Sequence, residues 1–151
     1  MSKDLNIYVE VFAAEAKAAA QKLDEKYQKD PKSVGRLHGM VLSIKDVICY
    51  QNHSVTAGSK ILEGFVTQYT ATALQRLLDE DVIVIGRVNC DQFAMGSGNE
   101  NSYYGDLPGE MGAGLPVSDL GTGRTAKDIL SSICIAQKTR KKLHYRCWFY
   151  T

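Results

Sequence analysis

Two stretches of the chain are apolar at almost every position: residues 40–48, MVLSIKDVI, and residues 82–86, VIVIG. Continuous runs of Val, Ile, Leu and Met suit strands covered on both faces, as in parallel sheets, whereas a half-wet strand alternates apolar and polar residues. Between the two runs lies ATALQRLLDED, with Leu74, Leu77 and Leu78 on one helical face and Thr70 placed to cap it. Strand, helix, strand is the pattern of a parallel βαβ unit. The chain is therefore expected to be α/β, with residues 40–48 and 82–86 as neighbouring or near-neighbouring strands of a mainly parallel sheet and the Thr70–Asp79 helix packed on one face. Ahead of this unit Leu5, Val9, Phe12, Ala16, Ala19, Leu23 and Tyr27 recur at helical spacing, with Lys and Glu between them. That spacing predicts an amphipathic helix from about residue 5 to about residue 28, ended by Pro31 and Gly35.

Lys45 breaks the first apolar run. An ammonium in such a setting is costly unless it is paired, neutral or open to a cavity. A lysine at the end of a buried strand can pack its stem and pair its head with a neighbour such as Asp46. A desolvated, neutral lysine amine can instead take a proton from a serine hydroxyl, directly or through a second serine. Spacing alone favours the first of these readings.

The second strand leads into RVNCDQFAMGSGNENSYYG, a long loop of small and polar residues. Ligands of open α/β sheets collect at the carboxyl ends of strands, where this loop begins. Its backbone N–H groups and short side chains could line a pocket, and glycines that merely permit turns are the plainer alternative. After Gly105 the pattern is lost. DLPGEMGAGLPVSDLGTGRTAKD is glycine-rich with two prolines, and the chain closes with ILSSICIAQ, the basic run KTRKK and HYRCWFYT. Residues 1–105 carry a slight acidic excess and residues 106–151 a slight basic one. These shifts place a boundary at about residue 105, with a poorly packed tail beyond it.

Composition narrows the function classes. A chain of 151 residues with 44% hydrophobic and 23% charged residues has the length and content of one globular domain. A net charge of +1 provides no strong pull toward nucleic acid or membrane. No segment reads as a membrane span or a signal peptide, so a cytoplasmic protein is expected. Cys49, Cys90, Cys134 and Cys147 lack paired spacing and are expected as free thiols. Cys49 with His53, and His144 with Cys147, fall in segments of different character, so no metal site is expected. KTRKK beside Tyr145, Trp148, Phe149 and Tyr150 has the composition of a solvated end, and no RNA-binding motif frames it.

Taken together, GRLHGMVLSIKDVICY, TAGSKILEGF, TATALQRLL and VIVIGRVNCDQFAMGSGNENSYYG resemble the amidase signature family over about residues 5–105. Within that family FAMGS…ENS, Phe93 to Ser102, is most similar to the A subunits of tRNA-dependent amidotransferases. The resemblance implies a fragment of the amidase-signature fold, a mainly parallel or mixed sheet flanked by helices. It implies domains at 1–105 (partial amidase) and 106–151 (a tail outside the resemblance). The IKD block falls on Ile44, Lys45 and Asp46, which implies that Lys45 is the base of a Ser–cis-Ser–Lys triad. The loop after the second strand lies close to the active site in this family, which implies Met95, Gly96 and Ser97 as substrate-pocket residues, with Asp91, Glu100 and Asn101 bracing the loop. Glutamine as substrate, B and C partner subunits and an indirect role for charged tRNA are implied as well. No cofactor is expected in this chain, and ATP with Mg is expected in a partner subunit.

The sequence departs from the family in one decisive respect. The glycine–serine blocks of the GGSSGGS and GSDTGGS types, which carry the bridging and nucleophilic serines, are absent from these 151 residues. Ser118, Ser131 and Ser132 lack the surrounding glycine turns and are not assigned to either role. Three functions therefore stay open: part of a glutamine-hydrolysing amidotransferase component, a hydrolase of small amides, or a truncated remnant without activity.

Overall fold

The computed structural model describes residues 6–96 and 99–105, together with the backbone of residues 133–139 and 142–146. It is an α/β structure around a mixed five-stranded sheet. The strands are β1 (Tyr8–Val11), β2 (Val41–Lys45), β3 (Ile83–Val88), β4 (Ile133–Thr139) and β5 (Lys142–Arg146), and the helices are α1 (Ala13–Lys29) and α2 (Thr72–Asp79). The spatial order is β1-β3-β2-β4-β5.

The βαβ unit stands where the apolar pattern places it. β2 and β3 pair in parallel, Val41 opposite Ile83 and Lys45 opposite Val88, with α2 as the crossover. Leu74 of α2 packs with Leu42, Ile44, Ile48, Val82 and Val84 into one apolar cluster. Burial of both strands drives the pairing, since each buried Val, Leu or Ile is worth roughly 1.5–3 kcal/mol. Two details differ from expectation. Thr70 does not cap α2: its hydroxyl accepts from Gln51 N–H, and Ala71 holds the cap position without a side-chain bond. β3 also runs past Gly86 to take in Arg87 and Val88.

The larger correction lies at the amino end. Residues 8–11, expected within a helix that begins at about residue 5, form β1, antiparallel to β3 with Val11 opposite Gly86. Tyr-Val-Glu-Val is β-branched and aromatic, a composition that fits a pleated surface, and β3 offers it an open edge. Helix α1 starts only after Phe12, whose ring is buried in the core and whose N–H donates to Ile85 O at 2.9 Å. α1 itself has no fully buried residue and ends at Lys29, with Asp30 capping it just ahead of Pro31.

From beyond residue 105, β4 lies antiparallel on the other edge of β2, with Ser43 opposite Cys134, and β5 pairs with β4. Ser118, Ser131 and Ser132 lie outside the described residues. Among the described residues no helix is long and apolar enough to cross a membrane.

Candidate active site

The site forms where β2 and β3 run out side by side. Lys45 is the last residue of β2 and only 4% exposed. Asp46 follows, fully buried, its N–H donating to Val88 O at 3.0 Å, so the two strand ends stay locked through the first residue of the loop.

Asp46 organises that loop. Its carboxylate accepts from Thr56 N–H at 3.0 Å, from the Thr56 hydroxyl and from Gly58 N–H at 3.2 Å. Its backbone carbonyl accepts from Ala57 N–H at 2.8 Å. The chain curls around this one side chain with Ala57 at φ 51° and Gly58 at φ 63°. The left-handed region costs an alanine roughly 1 kcal/mol, so the carboxylate must hold the turn in place. Glycine is required at 58 on a second count, because a methyl group there would run into the Cys90 carbonyl oxygen.

A second carboxylate does the same for the loop after β3. Asp91 accepts from Asn99 N–H at 2.9 Å and from Asn101 N–H at 3.0 Å. Gly96 lies directly against this carboxylate, leaving no room for a side chain. The two loops are then stitched together. Phe93 N–H donates to Ala57 O at 2.7 Å, Tyr103 N–H to Gly58 O at 2.8 Å, and Gln92 Nε2 to Ser59 Oγ at 2.8 Å. Asn89 closes the base, its amide donating to Gly105 O and accepting from Cys90 N–H and the Ser102 hydroxyl.

Arg87 supplies the counter-charge underneath. It is almost fully buried, with Nη2 donating to Glu10 Oε2 at 2.5 Å and to Ser54 Oγ at 2.8 Å, and with Nη1 3.5 Å from Asp46 Oδ1. Electrostatics at this end of the sheet are correspondingly strong. Burial pushes the Cys90 thiol up to about 12; the charges of Asp46 and Asp91 add to that, and Lys45 opposes them. Cys90 is therefore an inert thiol rather than a nucleophile.

Of the residues that the sequence points to, Lys45 is buried at the end of β2, and Asp91 braces the loop as expected, with its own carboxylate. Asn101 contributes through its backbone, while Glu100 is exposed. Met95 is 73% exposed and Gly96 abuts Asp91, on the loop stitched to the turn after Lys45. Ser97 lies outside the described residues. Cys49 and His53 do not converge: the thiol faces the Tyr69 hydroxyl at 3.5 Å, and the imidazole faces Glu15. Arg87 and Thr56 join the site without having been expected there. For Arg87 the sequence does hold a signal, a cation directly after VIVIG, in the same kind of position as Lys45.

The amidase family profile matches residues 1–108. The chain belongs to the amidase family. It is 46% identical over 103 residues to the glutamyl-tRNA(Gln) amidotransferase A subunit of Chlorobium phaeobacteroides (strain BS1), a match that takes in 68% of this chain and 21% of that protein. The corresponding protein of Pelagibacter ubique (strain HTCC1062) is 39% identical over 114 residues, 76% of this chain and 23% of that one. Among solved structures, the native peptide amidase of Stenotrophomonas maltophilia superposes with a TM-score of 0.57 at 30% identity, over 68% of this chain and 21% of the other. The chain thus spans about a fifth of the length of the relatives it matches.

Proposed function

We propose that this chain is the lysine-bearing part of a glutamine-hydrolysing amidotransferase A subunit, acting in the cytoplasm with Lys45 as the proton acceptor of its serine nucleophile. The observation that carries this reading is the placement of Lys45. It is buried where two parallel strands end, and the Asp46 and Asp91 loops are clasped together beside it. A rigid shell of this kind suits a catalytic amine, because a base works only if its position is held within hydrogen-bond reach of the proton it takes. In this reading the amine draws the proton from a serine through a second serine, and the serine oxygen attacks the glutamine carboxamide carbon. Backbone amides steady the oxyanion, the proton taken by the amine returns to the carboxamide nitrogen as the C–N bond breaks, ammonia leaves, and water then cleaves the acyl-enzyme to glutamate. The B and C subunits would receive the ammonia, with ATP and Mg used in the partner to convert Glu-tRNA(Gln) to Gln-tRNA(Gln). Met95, Gly96 and Ser97 would face the substrate.

Neither the nucleophile nor the bridging serine is assignable within the 151 residues, so the purified chain by itself is expected to release no ammonia from glutamine. The test is complementation. The chain is mixed with the remaining four-fifths of a related amidotransferase component and its B and C partners, and ammonia release is followed. Activity that needs the chain and disappears with Lys45→Ala supports the reading; activity unaffected by Lys45→Ala overturns it. A second reading, hydrolysis of a small amide without tRNA, draws on the similarity to the peptide amidase. Turnover of peptide amides but not of glutamine in the same mixture would favour it.

A further inference from the structure

His53 sits away from the Lys45 site and has an environment that constrains its protons. Nδ1 is 2.8 Å from Gln51 O and Nε2 is 2.8 Å from Glu15 Oε2. Both partners are acceptors: a carbonyl oxygen and a carboxylate. A neutral imidazole has one N–H and one lone pair, so it can satisfy one of them and must turn its lone pair on the other; only the imidazolium donates to both. The ring faces fit a cation as well. Tyr50 stacks on one, 4.1 Å between centroids at 8°, and Phe12 leans on the ring at 4.5 Å.

We propose that His53 is a proton-operated latch that fastens helix α1 to the loop of residues 50–54. With both nitrogens protonated, the ring bridges Gln51 in its own loop and Glu15 in the first turn of α1. When the pH rises, one N–H proton passes to solvent, a nitrogen lone pair then opposes an acceptor oxygen, and the bridge opens. The charged and titratable groups facing the cluster are Glu15 from α1, Glu10 from β1, Arg87 from β3 and Tyr50 from the loop itself. Glu10 and Arg87 are engaged with each other and with Ser54, so Glu15 is the carboxylate that answers the ring. Glu15 is well exposed, which gives the proton a path to water. The latch reaches the site by one further step. Ser54 follows His53 directly and accepts from Arg87, whose other arm faces Asp46 beneath the Lys45 loop.

The test is an NMR titration of the chain between pH 5.5 and 8, reading the His53 ring together with the backbone amides of residues 13–19 and 50–54. The expected result is one step in which ring, helix and loop signals shift together, and loss of the helix response in Glu15→Gln while the ring still titrates. Helix amides that stay fixed while the ring titrates in the unaltered chain would overturn the proposal. So would a helix response that Glu15→Gln leaves unchanged. The first readout needs no variant, and Glu15 is exposed enough for its amide replacement to leave the fold intact.

Discussion

Asp46 and Asp81 stand at opposite ends of the same pair of parallel strands, and each gathers a loop around one carboxylate, but with different partners. Asp81, just ahead of β3, accepts from Gly35 N–H at 2.6 Å, from Lys26 Nζ at 2.7 Å and faces His38 Nδ1 at 3.3 Å. The Gly35 N–H and the Lys26 ammonium hold its carboxyl down at about 2. Two of its three partners are long or titratable side chains reaching in from the surface, and such pairs are weakened by salt and by side-chain entropy. Asp46 is held by backbone N–H groups, a hydroxyl and a buried arginine. The amino end of the sheet is therefore fastened by adjustable charges, and the carboxyl end by fixed, dry donors. Rigidity is concentrated where Lys45 is.

This contrast breaks most sharply at Asp46. Asp46→Ala should cost roughly 3–5 kcal/mol, because it leaves three buried donors unmet and takes from Arg87 one of its two carboxylate partners. Denaturant unfolding of the chain measures it, and a loss below about 1 kcal/mol would mean that the loop stands without its carboxylate. Arg87→Met comes next. It keeps the stem's volume but leaves Asp46 buried without its cation, and roughly 2–3 kcal/mol should be lost in the same assay. Gly58→Ala should cost about 1–3 kcal/mol from the left-handed backbone and the Cys90 carbonyl together, whereas Gly39→Ala, with open space around it and a similar φ, should cost about 1 kcal/mol. Comparing the two isolates the packing between the loops from the backbone effect. The smallest effect belongs to Asp81. Its carboxyl is lowered in the folded state, so its contribution is complete above the ordinary aspartate value of about 3.9 and is lost as pH falls toward 2. Thermal unfolding across pH 5 to 2 should show a shallower decline for Asp81→Asn than for the unaltered chain. Equal slopes would contradict the Gly35 and Lys26 contacts.

The βαβ unit is legible in the sequence because its two strands are buried on both faces, and such strands announce themselves as unbroken apolar runs. β1 is not. Leu5, Val9 and Phe12 satisfy a helical repeat as well as Tyr8–Val11 satisfies a strand, and what decides between them is the free edge of β3, far along the chain. Lys45 is legible as an anomaly, a charge inside an apolar run, and its neighbours are not. Thr56, Gly58 and Gln92 acquire their roles only when two loops separated by a helix and a strand meet. The same holds for Asp46: its sequence position says that it follows a strand, while its function as the post around which residues 56–58 wind depends on contacts made well downstream.

Helix α1 buries none of its residues fully, and it is tied down near its first turn by Glu15 to His53 and near its last by Lys26 to Asp81. Its attachment therefore combines half-buried packing of Ala16, Ala19 and Leu23 with two polar ties that solvent can reach. In amide hydrogen exchange it should behave as a separate opening unit, losing protection before β2 and β3 do. Added salt, which screens exposed ion pairs but strengthens apolar burial when the salt is a sulfate, should loosen the helix while the sheet beneath it tightens.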